Sequence, residues 1–169
     1  MTTYYADTSA LAKRYVDETG SSWLRRILAA EPLPSVVVVH LAIVEMTSAL
    51  TRRMREGSLT QAEYAQLQSA FRSDCLNEYE IAVAAGSVVD EAVRLLEAYP
   101  LRAYDAVHLA TALVANQRLI DGGLTPLIFL SADDRMNELR LLRDWLWIIP
   151  TIIRKVALKP VLRVLLRVA

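Results

Sequence analysis

Cysteine, glycine and proline are all scarce in this 169-residue sequence, and long apolar runs are missing. Cys75 is the single cysteine, which excludes an intramolecular disulfide and a zinc site built from thiolates. Only 5 glycines and 6 prolines are present, which argues against collagen-like and disordered chains. The apolar run over residues 36–44 contains His40 and is too short to span a bilayer. The N-terminus lacks the pattern of a signal peptide, so we expect a cytoplasmic protein.

An excess of charge of either sign is also missing, since 19 basic residues balance 19 acidic ones. Five of the basic residues lie in residues 151–169, a segment that has no acidic residue. Residues 1–150 therefore contain 14 basic residues and all 19 acidic ones. The body of the chain is therefore acidic. To hold a polyanion, it needs a metal ion or a local basic rim.

Short apolar segments alternate with helical patterns along the chain. Residues 35–39 form a β-branched run that is typical of a buried parallel strand, and Thr60 with Glu63 has the spacing of a helix capping box. Such alternation predicts an α/β fold, a three-layer α/β/α sandwich around a mostly parallel sheet. We predict strands at 3–6, 35–39, 81–84, 127–130 and 147–149, and helices at 9–16, 21–30, 41–55, 60–78, 86–99, 104–116 and 133–142. Residues 1–150 form one domain, and residues 151–169 are an extension.

Two carboxylates follow predicted strands, and two interrupt apolar helical faces. Asp7 comes directly after the first strand, and Asp133 shortly after residues 127–130, where an open α/β sheet binds its ligands. A helix N-cap is an equally good explanation for either residue alone. Glu45 and Asp105 replace an apolar residue on helical faces. The alternative is that Glu45 and Asp105 each lie at the edge of the apolar helical face, or that each forms an ion pair with a nearby arginine such as Arg52 or Arg102.

Taken together, the four carboxylates predict a site for a hard divalent cation. Four acids gathered at one end of a sheet would repel one another without a cation, and Mg²⁺ prefers oxygen ligands while keeping several of its waters. Such a site polarises a phosphoryl oxygen and activates water for in-line attack. Phosphodiester hydrolysis is the chemistry that fits, with one or two metal ions.

Four segments of the chain each contain one of these carboxylates. They are Tyr5-Ala6-Asp7-Thr8-Ser9-Ala10-Leu11, Glu45-Met46-Thr47-Ser48-Ala49-Leu50, Leu101-Arg102-Ala103-Tyr104-Asp105-Ala106-Val107-His108-Leu109-Ala110-Thr111-Ala112, and Leu130-Ser131-Ala132-Asp133-Asp134-Arg135-Met136-Asn137. These segments resemble the motifs of PIN-domain ribonucleases of the VapC toxin type, in the order that the family shows, and the stretch Lys13-Arg14-Tyr15-Val16-Asp17-Glu18 continues the resemblance of the first. They cover about residues 1–150, and the third is the most specific.

This resemblance implies a Mg²⁺-dependent endoribonuclease, in which Mn²⁺ substitutes and Asp7, Glu45, Asp105 and Asp133 are the catalytic metal ligands. It also implies that Ser9 helps to order the site, that a cognate antitoxin neutralises the toxin, and that the protein is a homodimer. After Asn137 the sequence departs from the family pattern, and Asp134 is an alternative fourth ligand.

Two further residues of the third motif are candidates for supporting roles. His108 lies one helical turn after Asp105, where it donates to a phosphate, orients a carboxylate, or is a buried histidine with satisfied hydrogen bonds. The last role is the commonest for such a residue. Arg102 offers a planar set of donors to a substrate phosphate or, equally well, to a carboxylate of the site.

The C-terminal extension has cations at every fourth position, Lys155, Lys159, Arg163 and Arg167, with apolar residues between them. Pro160 interrupts the helix that this spacing would form. Packing against protein is the most ordinary role for such a segment. RNA is an alternative partner, and a membrane surface is a less favoured one.

Two other functions compete with the ribonuclease hypothesis. One is a catalytically silent PIN-like module that binds protein or RNA, against which the complete set of acids argues. The other is a different phosphate enzyme. A haloacid-dehalogenase-type phosphatase needs a second Asp where Ser9 stands, and no glycine-rich P-loop is present.

Overall fold

The β-branched and aromatic segments of the sequence form strands, and the segments between them form helices. The computed structural model describes residues 1–133 and Met136. Its elements are β1 (Thr3–Ala6), α1 (Thr8–Tyr15), α2 (Ser21–Leu28), β2 (Ser35–Val39), α3 (Ala42–Arg55), α4 (Gln61–Asn77), β3 (Tyr79–Ala82), α5 (Gly86–Ala98), α6 (Ala103–Asp121) and β4 (Ile128–Leu130).

The four strands form one parallel sheet in the order β3-β2-β1-β4. Tyr5 of β1 lies beside Val37 of β2 on one side and Phe129 of β4 on the other. The chain thus builds the sheet outward from β1 to β3 and then returns to place β4 on the free side of β1. The boundary between β1 and β4 is the topological switch point, where α/β sheets commonly bind ligands beyond the carboxyl ends of their strands.

Helices cover both faces of the sheet and complete the three predicted layers. Alternate strand residues point to opposite faces. Val36 and Val38 pack in one core with residues of α1 to α4, such as Leu11 and Met46. Tyr5, on the other face, packs in a second core that includes residues of α6. Helix α5 packs onto α6 through a third cluster that contains Val88, Ala92 and Leu95. The predicted fold class is confirmed.

Several element boundaries differ from the sequence-based expectation by a few residues. Strand β3 begins at Tyr79, two residues before the predicted start, because Tyr79 is buried and pairs with Val36. Helix α6 continues to Asp121, five residues beyond the predicted end. The strand predicted at 147–149, most of the helix predicted at 133–142, the domain boundary at 150 and the basic extension 151–169 lie outside the described residues.

Among the helices that the structure describes, none combines the length with the hydrophobicity that crossing a bilayer requires.

Candidate metal-dependent nuclease site

Asp7 stands at the junction of β1 and α1. Its backbone N–H donates to the Leu130 carbonyl at 3.0 Å, which extends the β1–β4 pairing by one residue. Its side chain is the N-cap of α1, because Oδ1 accepts the Ala10 N–H at 2.8 Å. The Ser9 hydroxyl donates to the same oxygen at 2.7 Å. The N-cap explanation is therefore correct for Asp7, and this role fixes the carboxylate at the carboxyl end of the sheet.

The Asp7 side chain is nearly inaccessible to water, since the residue is 5% exposed. Burial raises the pKa of this carboxyl, although the charge of His108, the hydroxyls of Ser131 and Ser9 and the Ala10 amide all lower it. The anion is therefore only partly compensated by the protein. A cation beside it would remove the remaining electrostatic cost.

Ser9 connects Asp7 with the loop after β4. While its hydroxyl donates to Asp7, its oxygen accepts the Ala132 N–H at 2.8 Å. The neighbouring Asp133 N–H donates to the Ser131 hydroxyl at 3.1 Å. One serine thus holds the first and fourth motifs together, which agrees with the ordering role that the resemblance implies for Ser9.

Glu45 lies in the first turn of α3, where the helix dipole favours a negative charge. Its Oε2 accepts the Thr8 hydroxyl at 2.5 Å and lies 2.6 Å from His108 Nε2. Burial opposes ionisation of Glu45, but the hydrogen bonds from His108 and Thr8 and the charge of His108 together keep its pKa below the ordinary value. Its partners are thus a histidine and a threonine and not the Arg52 or Arg102 that the alternative explanation proposed.

His108 is buried, and both of its ring nitrogens have partners. Nδ1 lies 2.9 Å from the Tyr5 hydroxyl, and Nε2 faces Glu45. Burial raises the pKa of Tyr5 well above its ordinary value, so Tyr5 keeps its proton and can donate to Nδ1. Nε2 carries the proton that Glu45 accepts, both in a neutral ring whose Nδ1 accepts from Tyr5 and in a protonated ring whose Nδ1 donates to Tyr5. The histidine thus orients a carboxylate.

Asp105 lies in the first turn of α6, which starts after Arg102. It faces the same pocket as the other three predicted ligands, and Ser9 and His108 also line this pocket. Arg102 is exposed at the N-cap position of α6 and is not among the lining residues. Asp134 lies outside the described residues. The carboxyl end of the sheet and the N-termini of α1, α3 and α6 therefore bring all four predicted carboxylates to one pocket. The residues that line this pocket are Asp7, Thr8, Ser9, Ala12, Lys13, Glu18, Val44, Glu45, Ser48, Ala49, Arg52, Arg53, Tyr104, Asp105, His108, Ala132 and Asp133.

The donors of this pocket fit a magnesium ion better than a softer metal. Within residues 1–133 and Met136, no three His, Cys, Asp or Glu side chains are close enough to form a complete metal site by themselves. Mg²⁺ does not require one, because it usually binds one or two carboxylates and keeps several waters. Carboxylates that share a pocket without a thiolate match that preference.

Sequence reasoning missed several side chains of the pocket. Thr8 directly contacts Glu45, 37 residues away, and Lys13 and Arg53 line the pocket together with Glu18. Nothing in the sequence separates Arg53 from an ordinary polar position of α3. Thr8 lies within the first motif, and Lys13 and Glu18 lie in the stretch after it that continues the family resemblance, but the sequence did not indicate the contact that each of them makes.

Comparisons with known proteins agree with the geometry. A family model described as PIN domain matches residues 4–140. Ribonuclease VapC45 of Mycobacterium tuberculosis strain CDC 1551 / Oshkosh is 32% identical over 112 residues, which are 66% of this chain and 76% of that protein.

Solved structures share the fold at lower sequence identity. VapC20 of Mycobacterium tuberculosis, described as a sarcin-ricin loop cleaving toxin, superposes with a TM-score of 0.56 at 16% identity, covering 80% of this chain and 94% of its own. A toxin-antitoxin complex from Klebsiella pneumoniae gives 0.54 at 16% identity, covering 78% and 88%. The chain therefore belongs to the PIN domain family, and its resemblance to the VapC ribonucleases of that family is confirmed.

Proposed function

We propose that this protein is a VapC-type ribonuclease toxin that hydrolyses RNA phosphodiester bonds with a divalent metal ion, Mg²⁺ or in its place Mn²⁺. The observation that supports this most is that Asp7, Glu45, Asp105 and Asp133 line one pocket at the switch point of a PIN-domain sheet. The ribonuclease name of a 32% identical relative supports the choice of RNA as substrate.

The residues of this site have two kinds of role, holding the metal ion and positioning the residues that hold it. Asp7, Glu45 and Asp105 would hold the metal, and Asp133 would contribute directly or through water. When bound, the ion supplies Lewis acidity toward a phosphoryl oxygen and lowers the pKa of a coordinated water. Ser9 holds Asp7 against the loop after β4, while His108 and Thr8 hold Glu45 ionised and in place.

The proposed partners are RNA, a cognate antitoxin and a second copy of the chain. The toxin-antitoxin complex among the solved structures of this fold supports the antitoxin. A dimer is supported by Val89, Val93 and Leu96, which are exposed on α5 at positions that share one helical face. Light scattering on the purified chain measures its mass in solution.

The test is cleavage of RNA by the purified chain in Mg²⁺ or Mn²⁺, with transfer, ribosomal and messenger RNA as separate substrates. We expect EDTA to abolish cleavage. We expect Asp7→Asn to lower the rate by at least about 100-fold, since the substitution removes the charge that helps to hold the ion.

Asp17→Asn is the matched control. Asp17 is exposed, pairs with Arg25 at 2.6 Å and does not line the pocket, so the same substitution should leave the rate unchanged. Equal cleavage by wild type and Asp7→Asn would refute the assigned role of Asp7. If the wild type cleaves none of the three RNA classes in Mn²⁺ but still binds RNA, the protein is instead the catalytically silent module.

A further inference from the structure

A basic cluster lies in the same pocket as the four carboxylates. Lys13 of α1 and Arg53 of α3 both bind Glu18, which follows α1, and all three line the pocket. Lys13 Nζ lies 2.9 Å from Glu18 Oε2, while the Arg53 guanidinium binds the other oxygen, Oε1. We call Lys13, Glu18 and Arg53 the basic triad.

The triad is held firmly and partly shielded from water. The side chains of Lys13, Glu18 and Arg53 are 10%, 26% and 34% exposed. The Glu18 N–H donates to the Ser21 hydroxyl at 2.9 Å, and that hydroxyl donates to the Val16 carbonyl at 2.9 Å. These bonds fix the turn that carries Glu18, so both cations are held in place.

The triad has more positive charge than its own structure requires. One carboxylate serves two cations, which leaves a net charge of +1, and Arg52 lines the same pocket. An ion pair that only fastened α1 to α3 would need one cation. Each bond to Glu18 uses one N–H, so a lysine ammonium retains two donors and an arginine guanidinium retains four for other acceptors.

A pocket with four carboxylates repels the backbone of RNA, so a cation near them is needed to hold the strand. We propose that Lys13 and Arg53 bind an RNA backbone phosphate adjacent to the scissile one, and that Glu18 is a positioning residue that holds both cations for this contact. The inference rests on the proposed function, because it takes RNA as the substrate.

The experiment measures RNA binding without cleavage. Fluorescence anisotropy in EDTA follows binding of single-stranded RNA to Asp7→Asn protein over a series of NaCl concentrations. Adding Arg53→Gln should weaken binding about five- to tenfold and reduce the slope of log affinity against log salt by about 1. Arg53→Lys, which keeps the charge, should recover most of the slope.

Arg94→Gln is the matched control, because Arg94 pairs with Glu91 on α5 and does not line the pocket. This variant should bind RNA with an unchanged salt slope. Thermal melts by circular dichroism show whether each variant is folded, and a structural role alone would change the melting temperature without changing the slope.

Glu18→Gln distinguishes a positioning role of Glu18 from an effect of the net charge of the pocket on RNA binding. Removing a negative charge should tighten RNA binding if only the net charge matters. Positioning by Glu18 predicts the opposite: weaker binding, and in the otherwise wild-type enzyme a raised KM with kcat within about twofold. Tighter or equal binding by Glu18→Gln, an unchanged slope for Arg53→Gln, or no RNA binding by the Asp7→Asn protein at low salt would each overturn the proposal.

The outcomes for the two proposals are separable. Metal-dependent cleavage by the wild type, combined with an unchanged salt slope for Arg53→Gln, would reject the basic triad as a phosphate site and leave the ribonuclease intact. A reduced slope for Arg53→Gln in the Asp7→Asn protein, together with a wild type that cleaves no RNA, would reject the ribonuclease and retain Lys13 and Arg53 as a site for an RNA backbone phosphate.

Discussion

His108 joins the interior of the protein to the pocket, because its two ring nitrogens contact a core tyrosine and a proposed metal ligand. Tyr5 is fully buried and stacks on Phe129 with ring centroids 5.2 Å apart. Its hydroxyl therefore has a fixed position from which to orient the imidazole. The orientation of Glu45 thus depends on packing between β1 and β4, and groups that orient a metal ligand strongly affect metal affinity.

We expect His108→Gln to weaken Mn²⁺ binding by about 10–100-fold, because glutamine cannot span both partners in the geometry of the ring. Isothermal titration measures the affinity. His40→Gln is the matched control, since His40 accepts the Ala84 N–H at 3.4 Å and does not line the pocket. Equal Mn²⁺ affinity in the two variants would contradict an orienting role for His108.

At this scale the sequence predicted the four carboxylates together with Ser9 and His108, and it missed other residues that arrange the pocket. Asp7 and Glu45 were identifiable because a carboxylate after a buried strand or on an apolar helical face calls for an explanation. Thr8 and Lys13 give no such signal, because a threonine or lysine in a first helix is ordinary. Their roles depend on contacts with Glu45 and with Glu18 and Arg53, which exist only in the folded chain.

Helix α4 begins with a capping box that the sequence predicted. The Thr60 hydroxyl accepts the Glu63 N–H at 3.2 Å, and Glu63 accepts the Thr60 N–H at 2.8 Å. We expect Thr60→Ala to lower the free energy of unfolding by about 1 kcal/mol, because it leaves a helix N–H without its cap. Urea denaturation followed by circular dichroism measures the change.

Thr125→Ala provides the control for this substitution. Thr125 is exposed in the loop between α6 and β4, where the change should alter stability by less than about 0.5 kcal/mol. RNA cleavage by Thr60→Ala should stay at the wild-type rate, since Thr60 does not line the pocket. An equal loss of stability in both variants would show that the capping box contributes nothing of its own.

The boundaries of elements were harder to predict than their existence. The predicted end of helix α6 at Asn116 is wrong, because Leu119 packs in the second core and Gln117 donates to Asp121 at 2.7 Å, so the helix continues past this point. Helix α6 continues until Gly122 and Gly123, the second of which has a φ of 70°. Tertiary packing and a glycine with positive φ, rather than local polarity, decide where this helix ends.

For the whole molecule, the alternation of strands and helices predicted the layers but not the order of the strands. Several parallel sheets are compatible with the same alternation. The order β3-β2-β1-β4 arises because the segment α5–α6 carries the chain from β3, past β2, to the far side of β1. This return places the loop after β4 beside Asp7, and so the site depends on the least predictable feature of the fold.

The buried Asp7 carboxylate lowers the stability of the folded protein, although the proposed metal site needs its negative charge. Burial raises the pKa of its carboxyl in the folded protein, so the folded state binds the proton more tightly than the unfolded state does. The stability of the metal-free protein therefore falls as the pH rises from the unfolded pKa, near 3.8, through the folded one. A bound cation compensates the same charge and should restore that stability.

We expect Asp7→Asn to raise the melting temperature in EDTA at pH 7 by about 2–4 °C, the shift that about 1 kcal/mol produces in a protein of this size. Asparagine is neutral but remains a good N-cap, so α1 keeps its first turn. The difference should shrink as the pH falls and vanish below about pH 3, where both states of the wild type are mostly protonated. Mg²⁺ or Mn²⁺ should then raise the melting temperature of the wild type and leave that of the variant unchanged, as thermal melts with and without metal would measure.

A wild type that melts higher than Asp7→Asn in EDTA at pH 7 would show that the buried carboxylate is already compensated by the protein, and that metal binding does not relieve a cost of folding.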